Sequence, residues 1–146
     1  MRRPIPFQHS PQAARARLTK AVLLPIPRRY SDVLSLTAYT ALDALRAGRG
    51  WSEGAQHLIE VVFLAHFLSD EGYGALGPGA LSAGTTAMTA VIEKGRATGA
   101  WELDSFGYEW IAAIIVLHDW QLRTASLSAL SAASERLERI QANRHR

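Results

Sequence analysis

Residues 72–77, Gly-Tyr-Gly-Ala-Leu-Gly, spell G-x-G-x-x-G. In dinucleotide-binding folds such glycines let a backbone approach a pyrophosphate at a helix N-terminus, directly after a strand. Here the preceding segment has helical spacing, no βαβ unit follows, and no Gly-Lys-Ser/Thr marks a phosphate loop. A helix end followed by an interhelix turn is the reading the pattern favours. His57 and Glu60 are three residues apart, so on a helix they share a face; His66 lies elsewhere on the same segment, and His118-Asp119 lies near the C-terminal third. A di-iron bundle needs Glu-x-x-His pairs on two helices plus further glutamates. This chain has one reversed pair and no second copy. His57, Glu60 and His118 are therefore weak metal candidates, and no cofactor is expected. Acid–base catalysis by Glu60 with His118 would need both in one cleft. There is no Gly-x-Ser-x-Gly elbow. There is no cysteine, which removes disulfides, thiolate zinc sites and cysteine nucleophiles together. No catalytic residue is expected.

Five segments must position these groups. Residues 1–30 read as an arm. Pro4, Pro6, Pro25 and Pro27 fix φ, remove a donor and bias the residue before each to extended geometry. Each Pro-Ile-Pro should form a polyproline-like strut. Ser10-Pro11 reads as the start of a short helix over 12–24. Ser31 or Asp32 is expected to cap the next helix, with Leu34, Ala38, Ala41 and Leu45 on one face and Gly48 and Gly50 at its end. Ser52 is expected to cap a second helix to about Glu71, apolar nearly all round from Leu58 to Leu68 and so central. A third helix is expected over 81–94, stopped by Gly95 and Gly99. Asp104 or Ser105 should cap a long last helix reaching about Asn143. Its stripe is Ile111, Ile115, His118, Leu122, Ala125, Ala129, Ala133, Leu137 and Ile140. The run 124–134 is poor in large residues, and a kink or break would fall there.

No stretch alternates as a strand does. The fold class expected is all-α: a four-helix-bundle-like single domain over 31–146, with a Pro/Arg-rich arm over 1–30 and a long C-terminal helix. At 146 residues the chain can bury a core without staples. No apolar run reaches the roughly 20 residues that a spanning helix needs. Pro4 and Pro6 interrupt any secretory signal, while the Arg-rich, acid-free start also has transit-peptide composition. A cytoplasmic protein is expected.

Charge is divided unevenly. Residues 1–30 carry seven cations (Arg2, Arg3, Arg15, Arg17, Lys20, Arg28 and Arg29) and no anion. Residues 31–134 are net −6, and residues 135–146, with Arg136 and Arg139, are net +2. Two basic ends flank an acidic body, so the ends either meet an anionic partner or fold back. As phosphate readers, Arg2, Arg3, Arg15, Arg17, Arg28, Arg29, Arg136 and Arg139 would bind nucleic acid in a salt-dependent way. As a docked strut, the arm would set its arginines against carboxylates of its own or a second protomer's body, with Ile5, Phe7 and Ile26 as apolar anchors. Trp101, Tyr108 and Trp120, with Phe106 and Trp110, either anchor the last helix or form a contact surface.

The stretches RRPIPF, ALDALRAGRG (41–50), ATGAW (97–101) and LHDWQL (117–122) resemble a group of small proteobacterial proteins borne on mobile or integrated elements. Some of these are named after Fis-type transcriptional regulators. The resemblance implies a bacterial origin and a regulatory setting. A Fis-like protein ends in a compact helix-turn-helix with a basic recognition helix, whereas this C-terminus reads as one Ala/Ser-rich helix with arginines at its tip. No functional residue is carried over.

Three functions are expected in this order: a non-enzymatic helical interaction protein (adaptor, regulator or inhibitor), a DNA-binding regulator using the arm and the C-terminal arginines, and a small helical enzyme or metal protein. A protein partner or a homodimer is expected, nucleic acid is the alternative partner, and no membrane association is expected.

Overall fold

A computed structural model describes residues 23–144. Five helices follow one another: α1 (Arg28–Arg46), α2 (Ser52–Asp70), α3 (Pro78–Thr98), α4 (Ser105–Thr124) and α5 (Leu127–Arg144). No strand forms among the described residues; one isolated antiparallel bridge joins Pro25 to Ser126. Short connections make successive helices antiparallel. α2 packs on all four others, which is why its apolar residues run round its whole circumference.

Two apolar clusters fill the interior. One joins α1 to α4 through Leu42, Leu45, Leu58, Val62, Met88, Ile111 and Ile114. The other gathers Phe67, Leu68, Leu122, Leu130 and Leu137 around Ile26. The stripe expected on the last helix is buried along its whole length, with Ile140 half-buried at its end.

Several boundaries differ from those read in the sequence. α1 begins at Arg28, ahead of Ser31 and Asp32. Pro27 stands at its N-cap with no side-chain cap, and the Pro27 carbonyl accepts from the Tyr30 and Ser31 amides at 2.9 and 3.0 Å. Proline supplies a preset φ and a helix entry in place of a capping hydroxyl. The arm's expected end at residue 30 therefore falls within the first turn of α1, and the expected helix over 12–24 lies almost wholly outside the described residues. Ser52 is the first helical residue of α2 rather than its cap, Trp51 preceding it.

α3 starts three residues earlier than expected, with Pro78 in its first turn, the position proline favours. It also runs through Gly95 and ends at Gly99, whose φ is 76°. Gly95 does not stop the helix; it is where the Trp101 ring lies against the backbone, and a Cβ there would overlap the indole. Asp104 caps α4 as expected, its Oδ1 accepting from the Gly107 amide at 2.7 Å.

The long last helix is two helices. Ala125 turns to extended geometry, with φ −71° and ψ 149°. Ser126 then caps α5, its Oγ accepting from the Ala129 amide at 3.1 Å. The backbone groups freed by the break pair with the second Pro-Ile-Pro and the residue before it: Ile26 N–H donates to the Ala125 carbonyl at 3.4 Å, and Leu127 N–H to the Leu24 carbonyl at 3.0 Å. Ile26 itself is only 5% exposed. The strut is thus an anchored element of the fold, and it sits at the junction of α4 and α5.

Candidate functional site

The polar centre of the molecule is Gln121. Its side chain is fully buried. Its amide nitrogen donates to the Ala65 carbonyl at 3.0 Å and the Tyr73 carbonyl at 2.9 Å, with Ser69 Oγ at 3.3 Å. Two carbonyls can only accept, which fixes the amide's orientation. Gln121 Oε1 must then accept from His118 Nδ1, 3.1 Å away, so neutral His118 carries its proton on Nδ1. Burial lowers the His118 pKa; the Gln121 hydrogen bond raises it, nearby His57 lowers it and Asp119 raises it. The network ties the C-terminal turn of α2 and the following loop to α4. These bonds are all internal and hold structure; His118 Nε2, the acceptor nitrogen of this tautomer, makes no hydrogen bond among the described residues.

His57 and Glu60 do share a face of α2. Glu60 Oε1 accepts from Gln141 Nε2 of α5 at 2.9 Å. His57 Nε2 is buried and has no hydrogen-bond partner among the described residues. Burial lowers the His57 pKa, against the raising effect of Glu60. No group of three metal-ligating side chains forms among the described residues. The structure does not gather His57, Glu60 and His118 into a ligand set.

The glycine-rich stretch is the connection from α2 to α3. Gly72 and Gly74 have positive φ, at 97° and 76°. Gly74 passes close over Leu117 and Trp120 of α4, leaving no room for a Cβ beside Leu117. The Tyr73 carbonyl is taken by Gln121, and its hydroxyl accepts from the Ser126 amide at 3.3 Å. These glycines close a loop onto α4.

The aromatic candidates separate. Trp101 is half-buried against Gly95, and Tyr108 is half-buried beneath the Arg46 guanidinium at 4.6 Å. Trp120 and Phe106 are exposed. The arginines separate too. Arg136 is engaged with the body, pairing with Asp70 at 2.9 Å and lying 4.2 Å over the Phe67 ring. Arg28, Arg29 and Arg139 are exposed and enter no ion pair among the described residues. Arg2, Arg3, Arg15 and Arg17 lie outside the described residues.

The surface that sequence reasoning missed is the seam between α1 and α4. The two helices run antiparallel. Ser35 Oγ donates to Asp119 Oδ1, and Arg46 donates to the Tyr108 hydroxyl at 3.5 Å. Asp119 also pairs with Arg123 at 3.0 Å. Burial and Asp119 raise the Tyr39 pKa in that seam, while Arg123 lowers it. Along its outer edge Leu36 is 68% and Val116 59% exposed, and Val33 and Trp120 are exposed on the flanks. A cavity lies at each end. One, of about 340 Å³, is lined by Pro25, Ile26, Arg28, Ser31, Asp32 and Arg123. The other, of about 510 Å³, holds Glu102, Asp104, Tyr108, Glu109 and Arg46. Leu36 left a sequence signal: it lies opposite the apolar face of α1, where a solvated helix carries charge. The pairing of α1 with α4 left none.

Compared with protein-family models, curated proteins and solved structures, the chain matches none.

Proposed function

We infer that this is a non-enzymatic helical interaction protein, an adaptor, regulator or inhibitor, acting by protein contact through the α1–α4 face. The observation that carries this reading is the run of large apolar side chains left in water on that face: Val33 and Leu36 on α1, Val116 and Trp120 on α4. Single exposed apolar residues are ordinary, but neighbouring ones on two packed helices mark contact surfaces. The interior supports the same reading, because the Gln121 amide and His118 Nδ1 are spent on each other and on backbone carbonyls. No helix among the described residues is long and apolar enough to cross a membrane. A bacterial, cytoplasmic and regulatory setting follows from the sequence resemblance and composition.

DNA binding is the second reading, and the exposed Arg28, Arg29 and Arg139 favour it. The first reading is tested with the full chain carrying Leu36→Ser and Val116→Ser. Both positions are exposed, so the melting temperature should stay within about 2 °C of the parent. Partner capture from the source cells should fall at least tenfold. Undiminished capture of the same partner would place the contact elsewhere.

A further inference from the structure

We propose that the seam between α1 and α4 is the seat of the chain's own residues 2–7, Arg-Arg-Pro-Ile-Pro-Phe, so that the N-terminal arm covers in cis the face assigned above to a partner. The proposal rests on that reading of the face as a contact surface, and it names the first occupant.

The molecule already shows how such a segment binds. Pro25-Ile26-Pro27 places Ile26 in the core beside α4 and α5, pairs its backbone across the helix break, and leaves Arg28 and Arg29 exposed. Residues 2–7 repeat these chemical parts in reverse order and add Phe7. Two prolines limit the conformations the segment loses on docking, and Ile5 and Phe7 supply apolar surface.

The seam is laid out to receive these parts in the matching order. Its near end is the cavity beside Ile26 and Arg123, next to Leu23, where the described chain begins. Its middle offers Leu36 and Val116. Its far end carries Glu102, Asp104 and Glu109 around one cavity. Arg46 lies over the Tyr108 ring and Lys94 lines the adjoining cavity with Glu102 and Asp104, yet none of the three carboxylates enters an ion pair among the described residues. Carboxylates left outside ion pairs suit Arg2 and Arg3. Residues 1–22 carry five cations and no anion, whereas residues 31–134 are net −6.

The arm is long enough to span the seam. From Arg123 to Glu109 helix α4 rises about 21 Å. The chain from Leu23 back to Phe7 covers about 24 Å as a helix and about 54 Å extended. Val116 lies only about 10 Å along α4 from Arg123, so the arm has length to spare for Ile5 and Phe7 to meet Val116 with Arg2 and Arg3 at the acidic end.

The test places the photo-crosslinking residue p-benzoylphenylalanine at Phe7 in the full chain. Equal amounts of ¹⁵N-labelled and unlabelled protein are mixed, irradiated, digested and read by mass spectrometry. The expected result is same-isotope crosslinks into residues 30–46 and 97–123. Glu102→Lys with Glu109→Lys should reduce them at least fivefold with an unchanged melting curve. A rise in ionic strength should reduce them as well. Mixed-isotope crosslinks to this face would show the arm of a second copy there and overturn the cis seat. Crosslinks elsewhere on the body, or none above the level in urea, would overturn it too. Partner capture by the Leu36 and Val116 variant reads a different event, so the cis seat can fail while the contact surface stands, and the reverse.

Discussion

Gln121 shows how one side chain can hold three elements and still be hard to find in a sequence. It sits beside Leu122 on a helix whose apolar stripe is readable, yet its partners are the Ala65 and Tyr73 carbonyls and His118. Backbone acceptors leave no mark in residue type, so nothing in LHDWQL distinguishes a fully buried amide from a surface one. His118 is legible as a buried imidazole because it falls in register with Ile111, Ile115 and Leu122; its hydrogen-bond partner is not. The two depressed histidines give a pH dependence with a definite sign. Both His57 and His118 have folded pKa values below the ordinary 6.5. Between the folded and unfolded values the unfolded chain binds more protons, so stability is full above about pH 6.5 and falls on acidification. For His118, only 5% exposed, the loss has a ceiling of about 1.4 kcal/mol per pH unit, the one-proton limit. Urea unfolding between pH 7.5 and 5 should show this decline. His57→Gln with His118→Gln should flatten it, whatever the double variant costs in stability at pH 7.5.

At the scale of elements, the helices are legible and their ends are not, for reasons that differ from end to end. The centres of α1, α2 and α4 follow from apolar spacing alone. The α4–α5 break falls in the run of small residues where large ones are scarce, but its position depends on Ser126 as a cap and on Leu24 and Ile26 as backbone partners from far upstream. The start of α1 escapes a search for caps because Pro27 opens the helix without a capping side chain. Gly95 reads as a terminator because glycine ends helices more often than it serves as a bed for an aromatic ring. That difference is measurable. In an open helix Gly→Ala stabilises by about 1 kcal/mol. At Gly95 the added methyl meets the Trp101 indole, and overpacking of this kind costs about 1–3 kcal/mol. Gly95→Ala should therefore lower stability by up to about 2 kcal/mol in urea unfolding, and it should cost much less in a Trp101→Leu background, where the ring is gone.

Over the whole molecule, the uneven charge and the bundle belong together. An acidic body with basic ends carries its own competitor for any polyanion. If the arm's arginines lie against Glu102 and Glu109, duplex DNA must displace them before it can use them, so non-specific binding by the parent chain should be weak and only gently dependent on salt. Glu102→Gln with Glu109→Gln removes the competitor and adds no cation. Asp104 is left intact because it caps α4 through the Gly107 amide. The variant should bind random-sequence duplex more tightly at low salt. If Arg2 and Arg3 are the groups released, the slope of log affinity against log salt should steepen by about 1.8, close to 0.9 for each phosphate newly neutralised. Arg2→Gln with Arg3→Gln in the same background should return the slope to the parent value. A parent chain that already binds duplex tightly, with the same slope as the variant, would mean that the arm is free. The basic ends would then belong to a nucleic-acid partner, and the seam would stand open to a protein one.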